Sequence, residues 1–173
     1  TTANNNVHPP GYEGRPVFYH SSRGVETSRI TRLHEVLSSD EPLSVKDHMQ
    51  IQHDVYSLAA DRDIPVFQGW TSVDSDIEWA RSLVAEWDAR LSRESVAAAI
   101  YVRWRDEVDE RVWDPDTPLP TNERRSLVKE GLVAALERLS SELGPDRTEW
   151  RHGRVHASQL PHMISSDFDL PTV

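Results

Sequence analysis

The sequence of 173 residues contains no cysteine. Disulfide bonds, thiolate catalysis and cysteine-ligated zinc sites are therefore excluded within these residues. No run of about 18 apolar residues occurs, so no membrane-spanning helix is expected. Basic residues are also scarce, with 19 Lys and Arg against 29 Asp and Glu, for a formal net charge of -10. Because nucleic-acid binding depends on clustered cations, this balance argues against a nucleic-acid partner.

Helical periodicity occupies the middle of the chain. Apolar residues recur at three- and four-residue spacing in five stretches, which predicts five amphipathic helices that pack around a core. The first begins at Ser28, the fourth at about Ser92 and the fifth at Thr121. The five apolar stripes are Ile30, Leu33, Val36 and Leu37; Val45, Met49, Val55, Leu58 and Ala59; Ile77, Ala80, Leu83, Val84 and Trp87; Val96, Ile100, Tyr101, Trp104 and Val108; and Leu127, Val128, Leu132, Ala135, Leu136 and Leu139.

Capping residues and helix breakers set the limits of these helices. An approximate capping box of Ser44 and Asp47 predicts the start of the second helix, which is expected to end before Pro65. The proline-rich residues 114–120 form a loop that no helix can cross, and Gly144 is expected to end the fifth helix.

The two ends of the chain lack this periodicity. Residues 1–25 contain three prolines and three glycines, and the residues after Trp150 are rich in histidine and serine. The sequence therefore predicts an irregular segment 1–25, a helical domain 26–145 and an irregular arm 146–173, which together make a mainly α fold class. The opening residues are neither basic nor apolar, so no signal peptide is expected there, and both ends are expected to be cuts within a longer protein.

Five short motifs follow one another along the chain, and they cover nearly all of it. They are Thr2-Ala3-Asn4-Asn5 with Pro10 and Tyr12; Ser28-Arg29-Ile30 with Leu33 and Leu37; Leu43-Ser44-x-x-Asp47 continuing to Ile51-Gln52-x-Asp54; Leu83-x-x-x-Trp87-Asp88 with Ser95 and residues 97–100; and Trp150-x-x-Gly153-x-x-His156 with Pro161-His162. In this order they resemble a segment of the larger (beta) chain of the penicillin amidase family of N-terminal-nucleophile hydrolases. The chain departs from the family at Ala89, where glycine usually follows Trp-Asp, and at Arg151-His152-Gly153, which replaces an aromatic-Gly pair.

The resemblance implies a larger enzyme, made as a precursor and cut into two chains. Its helical section would pack against an αββα core, and the amino-terminal residue of the larger chain, usually serine, would attack a linear amide through an acyl-enzyme. Penicillins, acyl-homoserine lactones and related acylated amines are the substrates that the family implies. Because the match places Thr1 inside the larger chain, Thr1 is not expected to be the nucleophile, and the segment alone is expected to be inactive.

Two residues carry the expected chemistry. Asn4 matches the family asparagine whose side-chain amide stabilises the oxyanion. Asn5 and Asn6 follow at once, so a register one residue later is an alternative, and so is a simple asparagine-rich turn. Arg29 matches the active-site arginine that orients the asparagine and the nucleophile's amino group. A surface arginine is the alternative, although a cation suits the start of a helix poorly.

The histidines raise the question of a metal. His48 and His53 lie five residues apart, which does not align them on one helix face. His152, His156 and His162 fall in the segment predicted as irregular. They could converge there, but scattered surface histidines are the favoured interpretation. No metal site and no cofactor are expected in this segment, although members of the family often bind calcium elsewhere.

The remaining expectations concern structure and partners. Asp54 and Asp88 recur in the motifs, and each is expected to cap a turn or to pair with a nearby arginine. The expected partners are the rest of the parent enzyme and a small acyl-amide substrate. The family resemblance implies a periplasmic or extracellular location. The alternative to the enzymatic interpretation is a non-catalytic helical binding module.

Overall fold

A computed structural model describes residues 28–38, 42–113 and 119–157. These residues form seven α-helices and three short 3-10 turns, and none of them lies in a β-strand. The predicted mainly α fold class is therefore confirmed. The helices are α1 (Ser28–Leu37), α2 (Val45–Gln52), α3 (Leu58–Asp63), α4 (Ser75–Ala85), α5 (Val96–Glu107), α6 (Thr121–Leu143) and α7 (His152–Val155), and the 3-10 turns are Ile64–Phe67, Glu110–Trp113 and Arg147–Glu149.

The chain divides into two compact units, one ending at Arg62 and one beginning at Asp63. The predicted irregular segment 1–25 and residues 158–173 of the predicted arm lie outside the described residues. Within the described part of that arm, a 3-10 turn and the single-turn helix α7 are present. No helix in the described ranges is long and apolar enough to cross a membrane.

The capping box predicted at the start of α2 is confirmed. The Ser44 hydroxyl accepts a hydrogen bond from the Asp47 backbone N–H at 3.3 Å, and the Asp47 carboxylate accepts one from the Ser44 N–H at 2.8 Å. The two side chains thus satisfy donors that the first turn of a helix leaves without intrahelical partners.

The prediction of one long second helix is wrong, because the chain forms two short helices instead. The helix α2 ends at Gln52, and α3 begins at Leu58. Between them, Asp54 Oδ1 accepts the Tyr56 N–H at 3.1 Å and Ser57 Oγ accepts the Ala60 N–H at 3.2 Å. Such side-chain bonds to the backbone compete with the helical ladder and start a new helix after the break.

In the second unit, acidic and hydroxyl caps fix the helix starts. Asp74 Oδ1 accepts the N–H groups of Asp76 and Ile77 at 2.9 and 3.2 Å, which starts α4. Ser95 Oγ accepts the Ala98 N–H at 3.1 Å, so α5 begins four residues later than predicted from about Ser92.

In this unit, one of the predicted helix ends is confirmed and another differs from the prediction. The helix α4 ends at Ala85, so Trp87 lies outside the helix on which it was predicted. The end of α6 at Gly144 is confirmed, with a φ of 88° that favours glycine.

The core of the second unit lies between α5 and α6, with α4 beside them. Trp104 is fully buried, and its indole Nε1–H donates to the Val128 carbonyl oxygen at 3.1 Å. Its ring lies 4.5 Å from that of Phe67 and 5.4 Å from that of Trp113, both edge to face. Four small or medium side chains at the start of α5 let the neighbouring helices approach closely; they are Ala97, Ala98, Ala99 and Ile100.

Candidate functional site

Of the two predicted site residues, the structure describes Arg29. It is the second residue of α1 and is exposed, and no acidic residue occupies the first turn of that helix. Its guanidinium therefore lies at the positive end of the helix dipole. Asn4 lies outside the described residues, so its pairing with Arg29 stays a prediction.

One turn further along α1, Arg32 joins a polar cluster. Its Nε–H donates to Asp54 Oδ2 at 2.7 Å, a length typical of a charge-assisted hydrogen bond. The pairing of Asp54 with an arginine is thus confirmed. The Arg32 guanidinium also lies over the Tyr56 ring, 4.8 Å from its centroid, and its Nη1 is 3.2 Å from the Glu35 carboxylate. The cluster ties α1 to the segment that follows α2.

The electrostatics of this cluster favour the protonated forms of Arg32 and Tyr56. The hydrogen bond that Arg32 donates to Asp54 is the largest cause of a raised Arg32 pKa, and partial burial opposes it. The pKa of Tyr56 is also raised, chiefly by its hydrogen bond with the Asp61 carboxylate. An arginine in this setting is a permanent cation, so it can orient or stabilise negative charge but cannot act as a general acid or base.

A second polar cluster, which sequence reasoning missed, surrounds Asp63. This carboxylate is fully buried, and its Oδ2 accepts hydrogen bonds from the Tyr101 hydroxyl and from Arg105 Nη1, both at 2.9 Å. The Arg105 guanidinium lies 4.2 Å from the centroid of the Trp113 ring. No buried side-chain polar atom in the described part of the chain is left without a partner. The cluster therefore has the features of a structural ion pair, and its members are 38 and 42 residues apart in sequence, too far for any local pattern to predict.

The segment after α4 contains Asp88, the second of the two aspartates that recur in the motifs. Asp88 Oδ1 accepts the Arg90 N–H at 3.1 Å, and the Trp87 indole N–H donates to the Arg90 carbonyl oxygen at 3.2 Å. Between them, Ala89 is buried and has a φ of 58°. The local capping role expected of Asp88 is confirmed, and its hydrogen bond stabilises a tight turn.

The described residues contain no group of three or more His, Asp or Glu side chains that could hold a metal ion. His152 and His156 stack in parallel, with ring centroids 5.6 Å apart and an interplanar angle of 7°. Burial, and then the neighbouring charge of His156, lowers the pKa of His152. His162 lies outside the described residues, so its position relative to this pair is not tested.

Comparisons with known proteins point to one family. The family model described as penicillin amidase matches residues 1–172, which is essentially the whole chain. No curated protein and no solved structure gives a significant match. The family match extends over the residues of all five motifs, including both Asn4 and Arg29. The chain belongs to the penicillin amidase family.

Proposed function

We propose that this chain is the part of an amidase or acylase that supplies Asn4 and Arg29 to a nucleophile located elsewhere in the enzyme. The observation that carries the proposal is the penicillin amidase match over residues 1–172, a range that includes both residues. Arg29 is exposed in the first turn of α1, at the positive end of the helix dipole, and this position supports a role towards a developing anion.

The proposed reaction is hydrolysis of a linear amide. The amino-terminal nucleophile attacks the carbonyl carbon, its own α-amino group takes up the proton, and negative charge develops on the carbonyl oxygen. The neutral side-chain amide of Asn4 donates a hydrogen bond to that oxygen. As the intermediate collapses, the α-amino group passes the proton to the leaving nitrogen, so that the amine is released and an acyl-enzyme remains, which water then hydrolyses to the free acid.

Arg29 has a different role in this scheme. Its guanidinium offers several N–H donors in a fixed plane, which suits it to holding the asparagine side chain and the nucleophile's amino group in register. The positive end of the α1 dipole adds to the potential that it presents to a developing anion. Arg29 thus orients the reacting groups and does not transfer a proton.

The substrates that fit this reaction are acylated amines, such as penicillins and acyl-homoserine lactones. The remainder of the enzyme, with the nucleophile and the small chain, supplies the acyl pocket. An exported location, periplasmic or extracellular, agrees with substrates that are met outside the cytoplasm. Calcium, where an enzyme of this kind binds it, belongs to that remainder.

The test uses the full-length enzyme and a phenylacetyl or fatty-acyl amide. Arg29→Ala is expected to lower kcat/KM by about 10- to 100-fold, because the reacting groups lose their orientation. Arg29→Lys keeps the charge but not the planar donor set, so only part of the activity should return. Arg125→Ala, which removes another exposed arginine in the early turns of a helix, is the matched control and should leave the rate unchanged. Equal rates for the Arg29 and Arg125 variants would refute the assignment.

The 173-residue chain by itself is expected to be inactive, because the proposed nucleophile is not among its residues. The isolated chain and its Asn4→Ala variant should release acid from the same amides at equal, background rates. Faster release by the chain than by the variant would contradict this expectation.

The alternative of a non-catalytic helical binding module has one observation in its favour. On α2, Val45 and Met49 lie one turn apart, and they are 78% and 58% exposed. Exposed apolar side chains in neighbouring positions are a common feature of binding surfaces. A full-length protein that forms no acyl-enzyme with any acyl amide, detected by intact mass, would favour this alternative over the enzyme.

A further inference from the structure

The helix that carries Arg29 is short. The helix α1 has 10 residues, and Ile30 is its one fully buried side chain among the described residues. Isolated helices shorter than about 12–15 residues are marginally stable in water, so tertiary contacts determine how such a helix is placed. The contacts made by α1 side chains therefore contribute to the placement of Arg29.

A side-chain ion pair joins Arg32 of α1 to Asp54. The two residues are 22 apart in sequence, and the Nε–Oδ2 distance is 2.7 Å. The Arg32 side chain is 30% exposed and that of Asp54 is 15% exposed. Partial burial reduces solvent screening, so this pair contributes more than a fully exposed ion pair does.

The Asp54 carboxylate is itself held by the backbone. Its second oxygen, Oδ1, accepts the Tyr56 N–H at 3.1 Å. The Tyr56 ring lies 4.8 Å from the Arg32 guanidinium, which adds a cation–π contact on one face of the planar group. The guanidinium is therefore fixed both along its edge and on its face, by two residues of one short segment.

Arg29 and Arg32 are three residues apart on α1, and side chains at this spacing are neighbours on the helix surface. We infer that Arg32, Asp54 and Tyr56 form a clamp that fixes the rotation and tilt of α1 and thereby positions Arg29 for catalysis. Arg32 and Asp54 are then positioning residues, which act through Arg29 and touch no substrate. The inference rests on the role of Arg29 in the proposed function.

A double-mutant cycle in the full-length enzyme tests the clamp. Asp54→Ala is expected to lower kcat about tenfold when Arg29 is present, because small displacements of an orienting group cost large factors in rate. With Arg29→Ala already in place, the same change should lower kcat by less than about twofold, since residues that act through one another are not additive. KM should change less than kcat in either case.

Matched variants separate positioning from general damage. Glu35→Gln alters the exposed partner of Arg32, whose carboxylate is 3.2 Å from Nη1, and should leave kcat unchanged. Asp54→Asn keeps the side-chain shape and an acceptor for the Tyr56 N–H, so it replaces Asp54→Ala in the cycle if circular dichroism shows that the alanine variant is unfolded. Hydrogen exchange of the α1 amides should be faster in both Asp54 variants than in the Glu35 variant.

The outcomes distinguish the clamp from the proposed function. An equal loss of kcat with and without Arg29 would show that Asp54 has only a structural role, and it would leave the proposed function intact. An Arg29→Ala enzyme with unchanged kcat would refute the role proposed for Arg29, and the positioning role with it.

Discussion

Ala89 is a non-glycine residue in the left-handed region of the backbone map. Its φ is 58° and its side chain is 1% exposed. The hydrogen bonds from Arg90 N–H to Asp88 and from the Trp87 indole to the Arg90 carbonyl hold the turn in this conformation. An L-residue other than glycine is strained there by about 1–2 kcal/mol. Glycine at this position would remove that strain.

Substitution of Ala89 by glycine should therefore leave the free energy of unfolding almost unchanged. Relief of about 1–2 kcal/mol of strain is opposed by about 0.4–1 kcal/mol of unfolded-state entropy and by the loss of a buried methyl group worth about 0.8 kcal/mol. We expect Ala89→Gly to change the free energy of unfolding by less than about 1 kcal/mol, since these effects nearly cancel. Urea denaturation followed by tryptophan fluorescence measures it.

The matched control for Ala89 is Ala98, a fully buried alanine within α5. Ala98 has no backbone strain for glycine to relieve. Ala98→Gly should therefore lower the free energy of unfolding by about 2 kcal/mol, from helix propensity and the lost methyl group together. Equal losses for the two variants would show that Ala89 is not strained in solution.

At the scale of helix pairs, Gly131 sets how closely α6 approaches α5. A Cβ atom built on Gly131 would lie 3.1 Å from Trp104 Nε1 and 3.1 Å from Val108 Cα. The first of these atoms donates the buried hydrogen bond to the Val128 carbonyl, and the second belongs to the backbone. Neither can move without disturbing the core, so the sequence needs glycine at this helical position.

We therefore expect Gly131→Ala to be destabilising even though alanine is the better helix former. The gain of about 1 kcal/mol in helix propensity is outweighed by an overpacking cost of about 1–3 kcal/mol and by strain on the Trp104 hydrogen bond. Thermal unfolding should occur at a lower temperature. Ser126→Ala, at an exposed position of the same helix, is the control and should be neutral or slightly stabilising. A Gly131→Ala protein as stable as the control would contradict the packing account.

The start of α4 depends on an ionised glutamate. Glu78 accepts hydrogen bonds from the Ser72 N–H at 2.7 Å and from Arg81 at 2.7 and 3.0 Å, while Arg81 also donates to the Phe67 carbonyl at 2.7 Å. The Arg81 hydrogen bonds, and then that from Ser72, lower the pKa of Glu78 from its ordinary value of 4.5 to about 2. The charged carboxylate thus links α4 to the residues that precede it.

The direction of this shift predicts a dependence of stability on pH. Because the folded-state pKa lies below the unfolded value, the stabilisation is fully present above about pH 4.5 and is lost as the pH falls towards 2. The urea midpoint should fall across this range in the parent protein and less steeply in Glu78→Gln, which should be the less stable of the two at pH 7. Glu137→Gln, at an exposed position of α6, is the control. Identical pH profiles for the parent and Glu78→Gln would contradict the assignment.

Most helices were predictable from sequence, but the break between α2 and α3 was not. The apolar spacing of Val55 and Leu58 continues the helical pattern. The helix is nevertheless interrupted, because the side chains of Asp54 and Ser57 accept hydrogen bonds from backbone N–H groups two and three residues further along the chain. Apolar periodicity indicates which face of a helix is buried. It does not indicate where side-chain hydrogen bonds to the backbone interrupt the helix. The cap at Ser95 was missed for a similar reason, since Ser92 and Ser95 are both suitable caps.

At the scale of the whole molecule, the family resemblance predicted the site residues, but it did not predict the contacts that surround them. Asn4 and Arg29 were predicted as site residues from short motifs, and the penicillin amidase match over residues 1–172 covers both. No spacing rule joins Arg32 to Asp54, which are 22 residues apart and meet only because the chain turns back between α1 and the segment after α2. The same holds for the buried carboxylate of Asp63 and its partner Arg105.

We propose that this chain provides the oxyanion-stabilising asparagine of an amide hydrolase. The most direct test is the kcat of the full-length enzyme with Asn4→Ala, using a phenylacetyl or fatty-acyl amide, alongside Asn5→Ala and Asn6→Ala as controls for the register. We predict that the Asn4 variant loses about 100- to 1,000-fold in kcat, the cost of one oxyanion-hole donor, while its two neighbours lose little. A kcat close to that of the parent enzyme for the Asn4 variant would contradict the account, and a large loss at Asn5 alone would move the oxyanion role by one residue.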